Sequence, residues 1–345
     1  MKKTLLAVAL TSLLPVAAVA DVVVYGKANV SLQSTDEAEL SAANGLQADG
    51  SKVELVSNAS RIGVKGSEEV NSQLKVIYQF EYQTEVDDGT NGSQTFGQRN
   101  IFLGLQGSAG TLMGGHFDTP TKVAQEKVDL FNDLEGDLAS IFKGEIRSSN
   151  IVQYVTPTFG GGFSASVAYA TPERDNVTLA CNVLTSLECE RSEGVSASFS
   201  YTSPMFYAAV ATDQDVGLEG VDLIRVVARL TLGAFQFGVL GESYEGPSAE
   251  YQGSALELVE IDEDGVLVSA LWNMTDKWAL KAQYGDSDVR FVDGKTASLG
   301  LDYKMTKSTT LYGYYTQVEN GLPDLATADR YRDDSYAGVG MDFKF

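Results

Sequence analysis

Apolar and polar side chains alternate with period two along most of this chain. In VVVYGKANVSLQ, Val22, Val24, Gly26, Ala28, Val30 and Leu32 share one face, and Tyr25, Lys27, Asn29, Ser31 and Gln33 share the other. QLKVIYQFEYQ sets Leu74, Val76, Tyr78, Phe80 and Tyr82 against Lys75, Gln79, Glu81 and Gln83. FSASVAY, WALKAQY and ASLGLDY repeat the pattern, and the closing YAGVGMDFKF carries it to Phe345. No long stretch has helical period. The chain therefore predicts strands with two different faces almost throughout.

The spacing of turns predicts how these strands connect. Short junctions fall near 69–72, 107–110, 158–162, 203–205, 232–233, 275–277 and 306–308. Long acidic junctions fall around 34–51, 85–94, 173–193, 245–264 and 320–334. Short and long alternate, which places all short turns at one end of an up-and-down meander. The count is about 16 strands, an even number, with both termini at the short-turn end.

The faces then separate the fold classes. A soluble sandwich also alternates, but its strands are shorter and it keeps two edges to guard. Here the segments run about ten residues, the length a tilted strand needs to cross a bilayer. Aromatics gather at strand ends (Tyr82, Tyr169, Tyr201, Trp278, Tyr284, Tyr303 and Phe345), as in interfacial girdles. The predicted fold is all-β, a transmembrane antiparallel barrel with short periplasmic turns and long extracellular loops. Closure pairs the last strand with the one beginning at Val22, so the terminal strand needs no tail to cover its edge.

The N-terminus fits export. MKK, the apolar TLLAVALTSLLPVAAVA and the small Ala18-Val19-Ala20 read as a signal peptide over 1–20, leaving one barrel domain over 21–345. Pro15 and the short apolar run argue against a membrane anchor. The charge is strongly acidic, 25 Lys+Arg against 47 Asp+Glu, which argues against a nucleic-acid partner. Cys181 and Cys189, in CNVLTSLEC, are expected to close a local disulfide loop in an oxidising compartment. Two thiols with one histidine make a poor zinc set, and no cofactor is expected.

VYGKANVSL, SRIGVKGSEEV, FGQRNIFLGLQGSAGTLMGG, FDTP, IRSSNIVQYVTP and the final Phe345 occur in that order. With them the chain resembles the Gram-negative trimeric porins over nearly all its length. The resemblance implies a 16-stranded barrel, a homotrimer, and passive diffusion of ions and small hydrophilic solutes across the outer membrane. It also implies that the third long loop, 118–143, folds into the lumen as a constriction. By residue match, the basic wall cluster facing it is Lys27, Arg61, Arg99 and Arg147. Asp129 and Asp133 best match the acidic loop residues, with Glu135 and Asp137 as alternatives.

Two details stand apart from that pattern. Gly115-His116 occupies a place where such porins often carry Gly-Arg, so His116 is a further candidate for the constriction, titrating near neutral pH. The face of Arg99 continues as Ile101, Leu103 and Leu105, which is not a lumen pattern. We assign that mixture to a strand packed in a trimer interface.

Further lumen-face charges are Lys75, Glu81, Arg225, Arg229 and Lys281. The outer junctions are rich in acid, with Asp36, Glu37, Asp87, Asp88, Glu260, Asp262, Glu263, Asp264, Asp333 and Asp334. A mild cation preference is the expectation, with outer-membrane lipid and lipopolysaccharide as partners and divalent cations as bridges at these acids. Two rivals share the architecture: a substrate-specific channel for sugar, phosphate or organic acid, and a blocked structural barrel. An outer-membrane enzyme is the remote rival: His116 would have to serve any Ser-His scheme, and no G-x-S-x-G elbow accompanies it.

Overall fold

The computed structural model describes residues 21–36, 51–87, 96–171, 193–252, 255–290, 293–320 and 332–345. Its strands are β1 (Asp21–Asp36), β2 (Ser51–Ser57), β3 (Arg61–Asn71), β4 (Leu74–Thr84), β5 (Phe96–Gly107), β6 (Gly110–Asp118), β7 (Arg147–Val155) and β8 (Phe163–Ala170). They continue as β9 (Gly194–Thr202), β10 (Phe206–Gln214), β11 (Asp222–Leu232), β12 (Phe235–Gln252), β13 (Ala255–Asn273), β14 (Trp278–Ser287), β15 (Gly294–Lys304), β16 (Thr309–Asn320) and β17 (Arg332–Lys344). The predicted signal segment 1–20 and the predicted Cys181–Cys189 bridge lie outside the described residues, as do Glu37 and Asp88.

Every pairing is antiparallel between chain neighbours, and β1 pairs with β17 from Lys27↔Lys344 to Asp36↔Ser335. The seam continues past the strand end: the Gly26 and Phe345 amides each donate to the other's carbonyl, at 3.0 and 3.1 Å. The terminal residue thus has a partner on β1. β2 and β3 are one barrel strand broken at 58–60, since β1 pairs with both. The 17 segments therefore make a closed 16-strand barrel.

The alternation has the expected physical meaning. On β1, Val22 and Val24 are more than half exposed (55 and 59%), while Ser31 and Gln33 are 1% exposed. Leu103, Val152, Val167, Val226, Val268, Leu299 and Val339 continue the exposed apolar surface around the outside. Such a surface suits lipid, while polar groups facing inward find hydrogen-bond partners. Aromatic pairs mark its short-turn end. Phe235 stacks on Trp272 at 5.7 Å, Trp278 meets Tyr303 at 4.6 Å, and Phe343 stacks on Phe345 at 5.9 Å.

Short turns follow β3, β5, β7, β9, β11, β13 and β15, as the spacing predicts. One long junction differs. The expected loop at 245–264 is mostly paired strand, with β12 and β13 in register out to Gln252↔Ala255. Their neighbours stop earlier, at Asp222↔Glu245 and Gly265↔Ser287. The two strands therefore extend beyond the rim as a hairpin. On β13, exposed Val268 and Val266 give way to exposed Asp264, Asp262 and Glu260, so the alternation persists while lipid is replaced by water.

The segment between β6 and β7 turns inward. Helix α1 (Pro120–Ala124) starts on Thr119, whose hydroxyl accepts from the Lys122 amide, with proline in its first turn. A 3₁₀ turn (Leu138–Ser140) starts on Asp137, which accepts from the Ala139 amide. Ala124, Val128, Leu138, Ile141 and Phe142 pack on Tyr207, Ala209, Ala211, Val227, Leu240 and Leu267 of the barrel wall. Phe131, with Leu130 and Leu134, packs on Tyr312, Tyr314, Val318 and Tyr336. The apolar core lies inside the barrel and against one side of it.

Candidate functional site

The inward segment leaves open a cavity of about 440 Å3 against the opposite wall. Arg61, Glu81, Arg99, Asn100, Asp118 and Arg147 line it from the strands. Lys122, Glu126, Asn132, Asp133, Asp137 and Glu145 line it from the loop. Six acidic and four basic side chains line it.

Three backbone irregularities place the basic groups. At the β2–β3 break, Ala59 has φ of 48°, and Ser60 bonds both the amide and the carbonyl of Asn29. Arg61 follows directly, in register with Lys27. At the second, Ile101 pairs with Phe80 and Gln98 with Tyr82, so Arg99 and Asn100 together oppose Glu81. This bulge explains the mixed face of Arg99: Ile101, Leu103 and Leu105 stay on the outward row while Arg99 is turned to the lumen. A trimer interface is not needed to account for it. At the third, Ser149 and Asn150 of β7 oppose His116 of β6, with Asn150 at φ 53°. The face joining Arg147 to Ser149 and Gln153 in sequence is interrupted there.

The predicted basic residues have two different roles in the geometry. Lys27 and Arg61 both hold Asp133 Oδ2, at 2.8 and 3.1 Å, so they dock the loop on the β1–β3 corner. Burial would raise the Asp133 carboxyl, but Lys27, Arg61 and Arg99 outweigh it and hold it below the usual carboxylate value. Arg99 and Arg147 instead find acids on their own wall. Arg99 Nε donates to Glu81 at 2.9 Å, and Tyr25 donates to the other Glu81 oxygen at 2.9 Å. Arg147 meets Asp118 at 2.9 Å, and Asn100 bonds both of them. Lys122 of α1 reaches the same Asp118 at 3.7 Å and Glu145 at 3.8 Å.

The four predicted loop acids also separate. Asp133 makes ion pairs with the basic wall. Asp129 is buried, accepting from the Phe131 and Leu138 amides and from Gln283, so it braces the loop from within. It does not belong to the gap. Burial pushes its carboxyl up to about 7, with Asp137 adding to the rise. Asp137 borders the cavity but accepts from the Asp133 and Ala139 amides, and burial raises it as well. Glu135 accepts from Gln33 on the β1 side.

His116 does not join the gap. It is in register with Ile101, which is in register with outward Phe80, and its Nδ1 lies 2.8 Å from Ser149 Oγ. Cross-strand partners share a face, so His116 belongs to the outer wall. Tyr312 and Tyr314 face inward, and their rings meet Phe131. Their hydroxyls donate to Asn29 and Gln33, so they are scaffolding for the loop.

Sequence reasoning missed Asp118, Asn100 and Glu145 as lining groups. The short stretches FDTP, QRN and GEIR hold them beside basic residues, but that adjacency is a weak signal. It also read Arg225 and Lys281 as lumen charges. Arg225 is completely buried, whereas Lys281 pairs with Asp302 at 3.3 Å and lies 4.8 Å from the Phe131 ring centroid.

Known proteins resemble this arrangement at the levels of sequence and fold. Major outer membrane protein P.IB of Neisseria sicca is 35% identical over 184 residues, covering 51% of this chain and 48% of that protein. The chain thus aligns with about half the length of that relative. P.IB of Neisseria meningitidis serogroup B is 26% identical over 359 residues, covering the whole of both chains. The solved structure of Salmonella typhi OmpF in complex with daunomycin superposes with a TM-score of 0.69 at 18% identity, covering 94% of this chain and 97% of that one. At that identity the likeness concerns the fold. The Gram-negative porin family matches residues 4–321. With the closed 16-strand barrel and its inward loop, this places the chain in the Gram-negative porin family, a family of outer-membrane proteins.

Proposed function

We propose that the chain forms a water-filled pore for passive diffusion of ions and small hydrophilic solutes, with residues 118–143 as its constriction. The carrying observation is the cavity between loop and wall, bordered mainly by charged and amide side chains. A solute passing there exchanges water for these groups without a bond being made or broken. The enzyme reading gains nothing from this geometry, because His116 lies on the outward row.

The arrangement gives the pore two electrostatic layers. Arg99 and Arg147, each beside its own acid, form short dipoles along the wall rather than one uncompensated positive surface. Excess acid among the lining groups, together with Asp36, Asp87 and Asp333 outside, favours cations modestly. The homotrimer, and contact of outer acids with lipopolysaccharide through divalent cations, belong to the same reading. The exposed apolar belt supplies surface for lipid and for neighbouring barrels.

Single-channel recording of the purified protein in a planar bilayer under a salt gradient tests this proposal. The expected result is stepwise opening in groups of three, with a reversal potential of cation sign. A folded barrel without conductance would refute the diffusion pore, and saturation of current by one solute class would favour a specific channel.

A further inference from the structure

We infer that Arg225 sets the width of this pore without contributing to its ion selectivity, a role that rests on the diffusion-pore reading. Alternation places Arg225 on the lumen side of β11, yet its side chain is 0% exposed. It has left the pore for the seam between loop and wall. Its Nε donates to Glu242 Oε2 at 2.8 Å, and Nη2 lies 2.6 Å from the same oxygen. Nη1 donates to Glu145 Oε1 at 2.7 Å and to the Thr121 carbonyl at 3.3 Å. Nη2 donates to the Lys143 carbonyl at 2.7 Å. A guanidinium has five N–H groups, and five acceptor contacts surround this one.

The partners explain the consequence. Thr121 belongs to the first turn of α1, at the start of the loop, while Lys143 and Glu145 belong to its end. One side chain therefore clasps both ends of the loop to β11. Glu242 on β12 completes the clasp by accepting from the Lys143 amide at 3.1 Å. Gly144 lets the backbone come this close: its φ is 76°, and a Cβ there would lie 2.9 Å from Arg225 Nη2. The adjacent apolar packing of Ile141 and Phe142 holds the loop flat, and the clasp fixes where its ends stand.

Charge and width are then held by different residues. Arg99 faces the passage, so its charge acts on passing ions. Arg225 is screened from the passage by the loop it holds, and its charge is matched locally by Glu242 and Glu145. Lysine offers three donors from one point and cannot reproduce a planar five-donor clasp.

The test compares Arg225→Lys, the charge-balanced pair Arg225→Gln/Glu242→Gln, whose two side chains are both 0% exposed, and Arg99→Gln with the unaltered protein. Barrel formation is checked by heat-dependent migration on gels. The readouts are exclusion of graded polyethylene glycols, reversal potential, and tryptic cleavage at Lys122, Lys127 and Lys143. Both Arg225 variants should admit larger polymers, roughly doubling the excluded mass, and speed loop cleavage at least tenfold, with reversal potential unchanged. Arg99→Gln should do the reverse, moving reversal potential and leaving polymer exclusion in place. Unchanged exclusion and cleavage in folded Arg225 variants, or a reversal potential shifted as by Arg99→Gln, would overturn the assignment. Failure of both Arg225 variants to form barrels would also overturn it, assigning Arg225 to barrel assembly. An unaltered protein without conductance would defeat the pore reading instead, and the cleavage comparison would still report on the clasp.

Discussion

The two sides of this barrel carry the same kind of sequence and come to opposite ends. On the β3–β7 side, inward Arg61, Glu81, Arg99 and Asn100 border the cavity. On the β10–β14 side, inward Arg225, Glu242, Gln283 and Ser269 are buried under the loop. Alternation specifies only that a side chain points inward. Whether it meets water or protein depends on where the loop lies, and that is settled by its apolar residues. Phe142 is almost fully buried against small and aliphatic groups such as Ala209, Ala211, Val227 and Leu267, and Phe131 against Tyr312, Tyr314 and Val318. At the wall around Arg61 the loop is held instead by the Asp133 ion pairs.

The largest effect should come from removing the packed side's apolar anchor. Phe142→Ala empties a buried aromatic site and should weaken loop attachment by about 3–5 kcal/mol. Hydrogen exchange over 119–146 should accelerate strongly while exchange in the β3–β5 ladder stays slow. Protection lost equally in both regions would break the contrast between the two walls.

Charge changes on the open side should act mainly on selectivity, and in opposite directions. Asp133→Asn leaves Lys27 and Arg61 without their loop acid and should move the reversal potential toward anions. Arg99→Gln leaves Glu81 without its arginine and should move it toward cations. Asp129→Asn should move it little, because that carboxylate is enclosed by Phe131, Leu138 and Gln283. A larger shift from Asp129→Asn than from Asp133→Asn would reverse the assignment of the gap.

The pH dependence follows from Asp133. Its docked carboxyl lies below the ordinary value, so docking favours the ionised form. An undocked loop takes up a proton near the ordinary aspartate value of about 3.9. The docking contribution is therefore complete above that pH and is lost as pH falls through the lower, docked value. Asp133-dependent cation preference should hold from pH 5 to 8 and decline only in stronger acid, measured as reversal potential against pH. The smallest effect is expected from His116→Ala, which should leave selectivity at pH 5.5 and 7.5 as it was, since the ring sits on the outer row.

Much of the fold was legible because a barrel in lipid imposes one rule on every strand. The β1 alternation, the short turns and the β1–β17 closure all follow from it. Register breaks were not legible. A bulge adds one residue and reverses the apparent face, so Arg99 looked anomalous until Asn100 was found beside it opposite Glu81. The hairpin beyond the rim was also hidden, because its outward residues turn acidic once they leave the bilayer. Among the loop acids, Asp133 and Asp129 have the same chemistry and lie four residues apart. Only the fold of the loop sends one to Lys27 and the other to Gln283.

The most direct test of an open side and a packed side is blockage by a negatively charged thiol reagent during single-channel recording. The background carries Cys181→Ser and Cys189→Ser. Asn132→Cys places a thiol on the cavity, and Ser269→Cys places one in the seam where Ser269 donates to the Val128 carbonyl at 2.6 Å. The account predicts discrete current reductions for the Asn132 variant and none for the Ser269 variant. Equal blockage of both, or blockage of the Ser269 variant alone, would contradict it.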